Sequence, residues 1–246
     1  MLKKYGVFRL LCCPVVVLFV VIGLISIVSA QAAETVAVIG TGRVGGALGP
    51  RFAELGYTVV YGSRDPSKQN VQELVELTGK GAMASSQSEA AQQGDIVVLA
   101  VPGSAVEQTV KGLGNLDGKI IIDVTNALRR RTDGYFEKAV PTSAAELIQS
   151  WVPGVSVVKA FNIMSYLVMA DPRLAGGPVT VPVVGDDENA KKKVQEIIEA
   201  MGFETEDLGP ILYARHLEGM VVLHLTPLFK GGDDDLFEYY LRKRSD

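Results

Sequence analysis

The sequence predicts a Rossmann-type α/β fold: a doubly wound, mostly parallel sheet with a carboxy-terminal helix, and an apolar amino-terminal helix outside the fold. A β-branched run at residues 36–39 leads through Gly40-x-Gly42-x-x-Gly45 directly into a helix-like segment, the strand–turn–helix context that the dinucleotide-binding pattern requires. Apolar runs then alternate with helical stretches, as in parallel sheets with crossover helices. Residues 10–33 carry no charge, which sets them apart from this alternating pattern.

Each predicted strand is a short apolar run bounded by turn residues. The runs at 95–101 and 119–123 are almost unbroken, as expected for parallel strands buried on both faces. Pro182 places the last run at a sheet edge, because proline lacks the ladder donor. The predicted strands are 36–39, 57–61, 95–101, 119–123, 155–160 and 179–184. The predicted helices are 43–55, 68–78, 86–92, 105–113, 143–150, 188–201 and 211–225.

The glycines after the first strand each have a physical task. Gly40 permits the tight turn, Gly42 lets the backbone approach a pyrophosphate, and Gly45 lets the helix pack closely on the strand. The free N–H groups at the start of the helix are expected to bind the phosphates. The predicted cofactor-binding residues of this turn are Gly40, Thr41, Gly42, Arg43, Val44 and Gly45.

The end of the second strand indicates which dinucleotide binds. NAD-binding proteins place Asp or Glu about 20 residues after the glycines, to bind the ribose 2′-hydroxyl. Here Ser63, Arg64 and Lys68 stand at that place, and these groups suit a 2′-phosphate. We therefore predict NADP, with an ordinary solvated turn, in which Asp65 caps the next helix and Pro66 begins it, as the alternative.

The chain divides into three predicted segments. Residues 1–33 are expected to be a signal peptide, with a cleavage site at Ala30-Gln31-Ala32, or a membrane anchor that contacts the bilayer through residues 10–30. This leader predicts export or membrane anchoring, whereas use of NADPH favours the cytoplasm, so both placements stay open. Residues 34–228 form the NADP-binding domain. Residues 229–246 are predicted to form a short helix whose apolar face, Phe237, Tyr240 and Leu241, serves an oligomer contact or docks on the same domain.

Composition excludes several classes of function. Beyond residue 33 the chain has 21 basic and 28 acidic residues, which argues against nucleic-acid binding. The cysteines, Cys12 and Cys13, both precede the domain, so no disulfide, iron–sulfur cluster or catalytic thiol is expected in it. No spacing of His, Cys and carboxylates predicts a zinc site.

Residues that follow the strands carry the predicted chemistry, because Rossmann folds bind ligands there. Val101 and Pro102 are expected to line the cofactor site. Asn126 and Asn162 could bond a carboxamide or the edge of a flavin-like ring, and Phe161 could pack on a ring; turn-forming asparagines and a core phenylalanine are the alternatives. The four strand ends considered are 102–104, 123–126, 159–162 and 185–187.

No catalytic acid–base residue is predicted. His216 and His224 lie eight residues apart on one predicted helix, a spacing that favours packing or a surface position. Hydride transfer between two redox cofactors needs mainly positioning and fits this absence. Only 38 residues follow Leu208, too few for a separate helical substrate domain. The acceptor is therefore expected to bind on the Rossmann domain, aided by the carboxy-terminal helix or by another subunit.

Over residues 35–228 the sequence resembles the coenzyme F420-dependent NADP oxidoreductases, which include the reductase domain of the STEAP metalloreductases. The motifs are the glycine turn, Gly62-Ser63-Arg64 with Lys68, and residues 157–162, 183–186 and 201–203.

The resemblance implies that Ser63, Arg64 and Lys68 hold the 2′-phosphate, and that Asn126, Phe161 and Asn162 face the nicotinamide and a second ring. It implies hydride transfer between NADPH and an acceptor such as coenzyme F420, FMN or FAD. STEAP proteins continue into a haem-bearing membrane bundle; because this chain ends at Asp246, we expect its acceptor to be soluble or to belong to another protein. Reduction of a small carbonyl or imine, and a non-catalytic NADP(H)-binding subunit of a membrane redox complex, are the alternatives.

Overall fold

The computed structural model of the chain describes residues 33–225 and 239–244, so the predicted leader and most of the predicted tail lie outside the described residues. Within these residues, no helix is both long and apolar enough to cross a bilayer. The strands are β1 (Thr35–Ile39), β2 (Thr58–Ser63), β3 (Met83–Ser86), β4 (Ile96–Leu99), β5 (Ile120–Asp123), β6 (Leu128–Arg130), β7 (Phe136–Lys138), β8 (Ser156–Lys159), β9 (Thr180–Gly185) and β10 (Glu204–Asp207). The α-helices are α1 (Arg43–Glu54), α2 (Gln69–Thr78), α3 (Gln87–Gln93), α4 (Val106–Gly112), α5 (Ala144–Trp151), α6 (Tyr166–Ala170), α7 (Glu188–Ala200) and α8 (Ala214–Leu225).

Eight of these strands form one sheet in the order β10-β9-β8-β5-β4-β1-β2-β3. Within this sheet, neighbouring strands from β8 through β5, β4, β1 and β2 to β3 pair in parallel. Strand β9 is antiparallel to β8, and β10 is parallel to β9. The chain builds the sheet outward from β1 in one direction and from β4 in the other, which confirms the doubly wound α/β prediction. Parallel strands that diverge in this way leave a crevice at their carboxyl ends, between β1 and β4.

Helices cover both faces of the sheet because successive strand residues point to opposite sides. In β1, Val36 and Val38 belong to the core on one face, and Ala37 and Ile39 to the core on the other. The first core receives side chains from α1 and α7, and the second from α3, α4, α5 and α8.

The prediction that Pro182 marks a sheet edge is wrong. Strand β9 lies between β10 and β8. Its pairing with β8 involves only Val184 and Gly185, so Pro182 lies beyond the end of that ladder. Proline is accepted there because no partner on the β8 side requires its missing N–H.

The prediction of a helical tail is wrong for the part that the structure describes, since residues 239–244 form no helix. Instead the carbonyl of Leu241 accepts a hydrogen bond from Thr180 N at 2.8 Å, so the segment lies along the amino end of β9. Tyr240 and Leu241 pack against the two cores. Of the two roles considered for this apolar face, these residues take the docking role; Phe237 lies outside the described residues.

Candidate functional site

A cleft of about 790 Å³ opens at the carboxyl ends of β1, β2 and β4, where the sheet topology predicts a ligand. Its walls include the glycine turn, the turn after β2 and the start of α4, so most of the predicted cofactor site comes together. The lining residues are Gly40, Thr41, Gly42, Gly62, Ser63, Arg64, Asp65, Lys68, Asn70, Val71, Gln87, Ala100, Val101, Pro102, Ser104, Ala105, Gln108, Thr109 and Gly112.

The three glycines of the turn differ in their surroundings. Gly40 has φ +115° and lies against the backbone of Ala100, whose carbonyl a Cβ atom at Gly40 would overlap. A Cβ atom at Gly45 would overlap the carbonyl oxygen of Gly40. By contrast, nothing lies within 4 Å of where a Cβ at Gly42 would be, and this open space faces the cleft. Two glycines therefore build the turn, and the third leaves room for a ligand.

Helix α1 begins at Arg43, and its N-cap, Gly42, has no side chain to accept from the first N–H groups. Such groups, at the positive end of the helix dipole, are suited to bind an anion. The side chains of Arg43 and Val44 do not line the cleft: the Arg43 guanidinium lies 5.5 Å from the ring centroid of Tyr166, and Val44 packs against the core. Of the predicted residues of this turn, Gly40, Thr41 and Gly42 line the cleft, and Arg43, Val44 and Gly45 do not.

The turn after β2 presents two cations to the cleft. Arg64 and Lys68 are exposed, and neither forms an ion pair with a residue that the structure describes. Ser63 is 8% exposed, and its Oγ bonds the backbone of Asp65. The hydroxyl of Ser67 donates to Asp65 at 2.6 Å and holds the pKa of Asp65 below its usual value. Because the acid is engaged within the turn, the two cations are available to an anionic ligand.

An asparagine pair lies behind the other end of the cleft, where Val101 and Pro102 form the wall. Asn162 Nδ2 donates to Asn126 Oδ1 at 2.9 Å, and Asn126 Nδ2 donates to the Asn162 carbonyl at 3.4 Å. Asn162 is 5% exposed, and its Oδ1 has no hydrogen-bond partner within the described chain. An unpaired buried acceptor of this kind is uncommon and suits a ligand that carries an N–H donor.

Phe161 lies in the core. Its ring meets that of Phe203 edge-on, with centroids 5.7 Å apart, and the residue is 1% exposed. Its φ of +62° is uncommon for a large side chain and turns the chain between Lys159 and Asn162. The alternative prediction, a core phenylalanine, is therefore the one that fits. The Phe161 ring has no exposed surface that could contact a ligand ring.

One of the four predicted strand ends lies at the wrong edge of the sheet. Strand β9 runs antiparallel to β8, so residues 185–187 lie beside the amino end of β8, where Ser156 Oγ donates to Asp187 at 3.1 Å. Residues 185–187 therefore do not face the cleft. His216 also lies outside the cleft lining, 6.1 Å from the ring centroid of Tyr213.

Sequence reasoning missed several polar residues of the cleft. Asn70, Gln87, Gln108 and Thr109 line it, on helices α2, α3 and α4, whose sequences carry no recognisable binding motif. It also missed a buried charge cluster around Lys159. That cluster left a signal in the sequence, because Asp123 and Lys159 are charged residues that end two apolar strand runs. Among the described residues, no group of three potential ligands could hold a metal ion.

The fold and the cleft define a class: a Rossmann-type domain with a dinucleotide-sized cleft at the carboxyl ends of its central strands. Residues 35–127 match the sequence model of the family described as "NADP oxidoreductase coenzyme F420-dependent". Over these residues the chain is similar to this family, and relatives named as F420-dependent NADP reductases match it over most of its length.

Two curated relatives and one solved structure show the range of the similarity. Metalloreductase STEAP3 from Rattus norvegicus is 32% identical over 199 residues, covering 80% of this chain and 38% of the relative. The F420-dependent NADP reductase of Methanocaldococcus jannaschii is 29% identical over 206 residues, covering 78% of this chain and 88% of the relative. A crystallised protein from Arthrobacter sp. FB24, provisionally assigned as an F420-dependent NADP reductase, is 28% identical with a TM-score of 0.75 and covers 86% of this chain and all of that one. The chain thus spans about two fifths of the metalloreductases that it matches.

Proposed function

We propose that the protein transfers hydride between NADPH and a flavin or deazaflavin acceptor, such as FMN, FAD or coenzyme F420. The observation that carries this proposal is the distribution of charge in the cleft. Its titratable lining residues are Arg64, Asp65 and Lys68, all in the turn after β2, whereas the end near Val101 and Pro102 has none among the described residues. Such a site binds and orients but offers no general acid, which suits hydride transfer between cofactors.

The residues present fit NADP(H), which when bound supplies or accepts the hydride. The N–H groups at the start of α1 hold the pyrophosphate, with the open space at Gly42 allowing close approach. Arg64 and Lys68 bind the 2′-phosphate, with Ser63 bracing the turn between them. The unpaired Oδ1 of Asn162, which is buried behind the wall of the cleft, would accept from the carboxamide of the nicotinamide once the side chain turns toward the bound cofactor. Val101 and Pro102 exclude water from that end of the cleft.

The relatives support the choice of acceptor. The Methanocaldococcus reductase, whose name specifies coenzyme F420, is covered over most of its length. The metalloreductases are covered over two fifths, so transfer of electrons onward to a metal would require parts that the match does not include. A deazaflavin or flavin that enters from solution is the acceptor that both similarities allow.

The test is NADPH oxidation by the purified full chain, followed by the loss of NADPH absorbance with coenzyme F420, FMN or FAD. We expect turnover with at least one of them, and much slower turnover with NADH. Cyclic imines and small ketones serve as the contrasting substrates. Turnover of an imine or ketone alone would contradict the proposal. NADPH binding without turnover of any acceptor would also contradict it and would support a non-catalytic binding subunit.

A further inference from the structure

A buried cluster of charged side chains joins three elements beside the cleft. Lys159 at the end of β8, Asp123 at the end of β5 and Glu218 on α8 are each fully buried. The Lys159 ammonium lies 2.8 Å from Asp123 Oδ2 and 2.9 Å from Glu218 Oε1. Burial opposes the charge on this ammonium, but the two carboxylates outweigh burial and raise the pKa of Lys159. The two carboxylates therefore favour the charged form of the lysine.

The cluster fixes the loop that follows β5 on both sides of Asn126. Lys159 Nζ donates to the Thr125 carbonyl at 2.6 Å, and Asp123 Oδ1 accepts from both Thr125 N and Thr125 Oγ1. Glu218 Oε2 accepts from Ala127 N at 3.0 Å. The residues before and after Asn126 are thus tied to charged groups by bonds that are stronger than neutral ones.

Asn126 in turn connects the cluster to the cleft. Its carbonyl lies against Gly103, where a Cβ atom would overlap it, and Gly103 stands between the lining residues Pro102 and Ser104. Its side chain holds Asn162, which follows Lys159 by three residues. Asn126 therefore lies between two residues that the cluster holds, and Asn162 is bonded to Asn126.

We propose that Lys159 is a positioning residue, which with Asp123 and Glu218 sets the Asn126–Asn162 pair against the nicotinamide end of the bound cofactor. This inference rests on the proposed function in one respect, that NADP(H) occupies the cleft with its nicotinamide toward Pro102. The cluster acts through Thr125 and Ala127 and does not touch the cofactor itself.

Stability alone is a poor reason for this cluster. Desolvating three charges costs several kcal/mol per ion, and well-packed apolar side chains often serve a core as well or better. The chain offers an internal comparison in Lys191, which is 2% exposed and paired with Asp207 at 2.7 Å and Glu188 at 2.9 Å. Lys191 lies against Gly185, at the edge of the sheet away from the cleft.

The test compares Lys159→Met with Lys191→Met in the full chain. Each variant loses one buried ammonium, but only the first affects the asparagine pair. The measured quantities are the dissociation constants of NADPH and of 2′-phospho-ADP-ribose, which lacks the nicotinamide. In Lys159→Met we expect the affinity for the fragment to stay within about twofold, and the advantage of NADPH over the fragment to fall roughly tenfold, the worth of one good hydrogen bond. Lys191→Met should preserve that advantage.

The inference is overturned if folded Lys159→Met keeps the wild-type advantage, if Lys191→Met loses it equally, or if the wild type shows none. Should Lys159→Met fail to fold, Glu218→Gln is the substitute, because it removes one carboxylate while keeping an oxygen for Ala127 N, and the same loss is expected. These measurements need neither an acceptor nor turnover. A protein that binds NADPH with the expected advantage but reduces no flavin would contradict the proposed function and leave this inference intact.

Discussion

At the scale of single residues, the glycine turn depends on the absence of side chains at defined points. Gly45 and Gly46 are neighbours in the first turns of α1, but only Gly45 faces the backbone of Gly40. A methyl group at Gly46 would meet Leu74 Cδ1 at 3.7 Å, an ordinary contact. Alanine substitutions at the two positions therefore distinguish the geometric requirement for glycine at Gly45 from the low helix propensity of glycine, which both positions share.

We expect Gly45→Ala to lower the free energy of unfolding by about 1–3 kcal/mol, as overpacking does, and to weaken NADPH binding because the turn must open. Gly46→Ala should be neutral or stabilising by up to about 1 kcal/mol, since alanine favours the helix. Urea unfolding and NADPH titration of both variants measure this. Equal effects at the two positions would contradict the geometric argument.

The cations at Arg64 and Lys68 give a second prediction at this scale. Arg64→Asp should weaken NADPH binding roughly 10- to 100-fold, because a charge-assisted bond to the 2′-phosphate is replaced by repulsion. NADH binding should change little or improve, because a carboxylate there can bind the ribose hydroxyl. Dissociation constants for both cofactors test this, with Arg173→Asp, at an exposed arginine away from the cleft, as the control. If the ratio of the NADPH and NADH dissociation constants does not change, this turn does not determine the preference for NADP.

The sequence was sufficient for residues whose roles are local. The turn from Ser63 to Lys68 follows a strand directly, so its position in the cleft could be predicted. Phe161 was different: whether its ring faces a ligand or Phe203 depends on a backbone φ of +62° and on a residue 42 positions later, which no local pattern reports. Glu218 likewise gave no sign that it would meet Lys159.

At the scale of elements, seven of the eight α-helices in the described residues were predicted from periodicity; α6 (Tyr166–Ala170) and several strands were not. Strand β3 is Met83–Ser86, a segment of small and polar residues without a β-branched side chain; pairing with β2, and not propensity, makes it a strand. The direction of β9 could not be predicted either, because an apolar, valine-rich run fits a parallel and an antiparallel strand equally well. That single reversal moved residues 185–187 to the opposite edge.

Helices α5 and α8 are joined by a part-buried ion pair between Glu146 and Arg215. Burial raises the pKa of Glu146, but hydrogen bonds from Arg215 and from Ser143 outweigh it and hold the pKa below its usual value. A depressed carboxyl pKa adds stability above the unfolded-state value, near 4.3, and this stability is lost as the pH falls through the lower folded value.

Glu146→Gln should therefore lower the free energy of unfolding by about 1 kcal/mol at neutral pH, and the difference from the wild type should shrink as the pH drops below about 4.3. The chain has one tryptophan, Trp151 at the end of α5, so its fluorescence during urea unfolding reports on this contact. Glu76→Gln, at an exposed position on α2, is the control. A difference that grows toward acid would reverse the predicted sign.

At the scale of the whole molecule, the class was predictable because the alternation of strands and helices leaves few topologies. The path of residues 239–244 was not predictable, because acids at one end of the tail and bases at the other fit a helix, whereas the bond from Thr180 N to the Leu241 carbonyl joins residues far apart in the sequence. Long-range pairing decided both this segment and the cluster around Lys159.

Binding of NADPH should stabilise the entire domain. At a free concentration of about 100 times its dissociation constant, the gain is about 2.7 kcal/mol, which for a domain of this size raises the Tm by roughly 5–10 °C. NADH at the same concentration should give a smaller shift, because it lacks the 2′-phosphate. Thermal unfolding of the full chain with each cofactor measures this, and equal shifts would contradict the predicted preference.

The link between Glu218 and the loop after β5 bears on how the chain matures as it is made. The cleft is lined by residues between Gly40 and Gly112, which leave the ribosome early and can close on one another. Ala127 N and Ala144 N both donate to the carboxylate of Glu218, which follows them by 91 and 74 positions. Neither hydrogen bond can form before Glu218 has been synthesised. Until α8 has emerged from the exit tunnel, Asp123 is the one carboxylate of the cluster that can pair with Lys159. We therefore expect the lining of the cleft to assemble before the loop after β5, which is completed only once α8 has emerged.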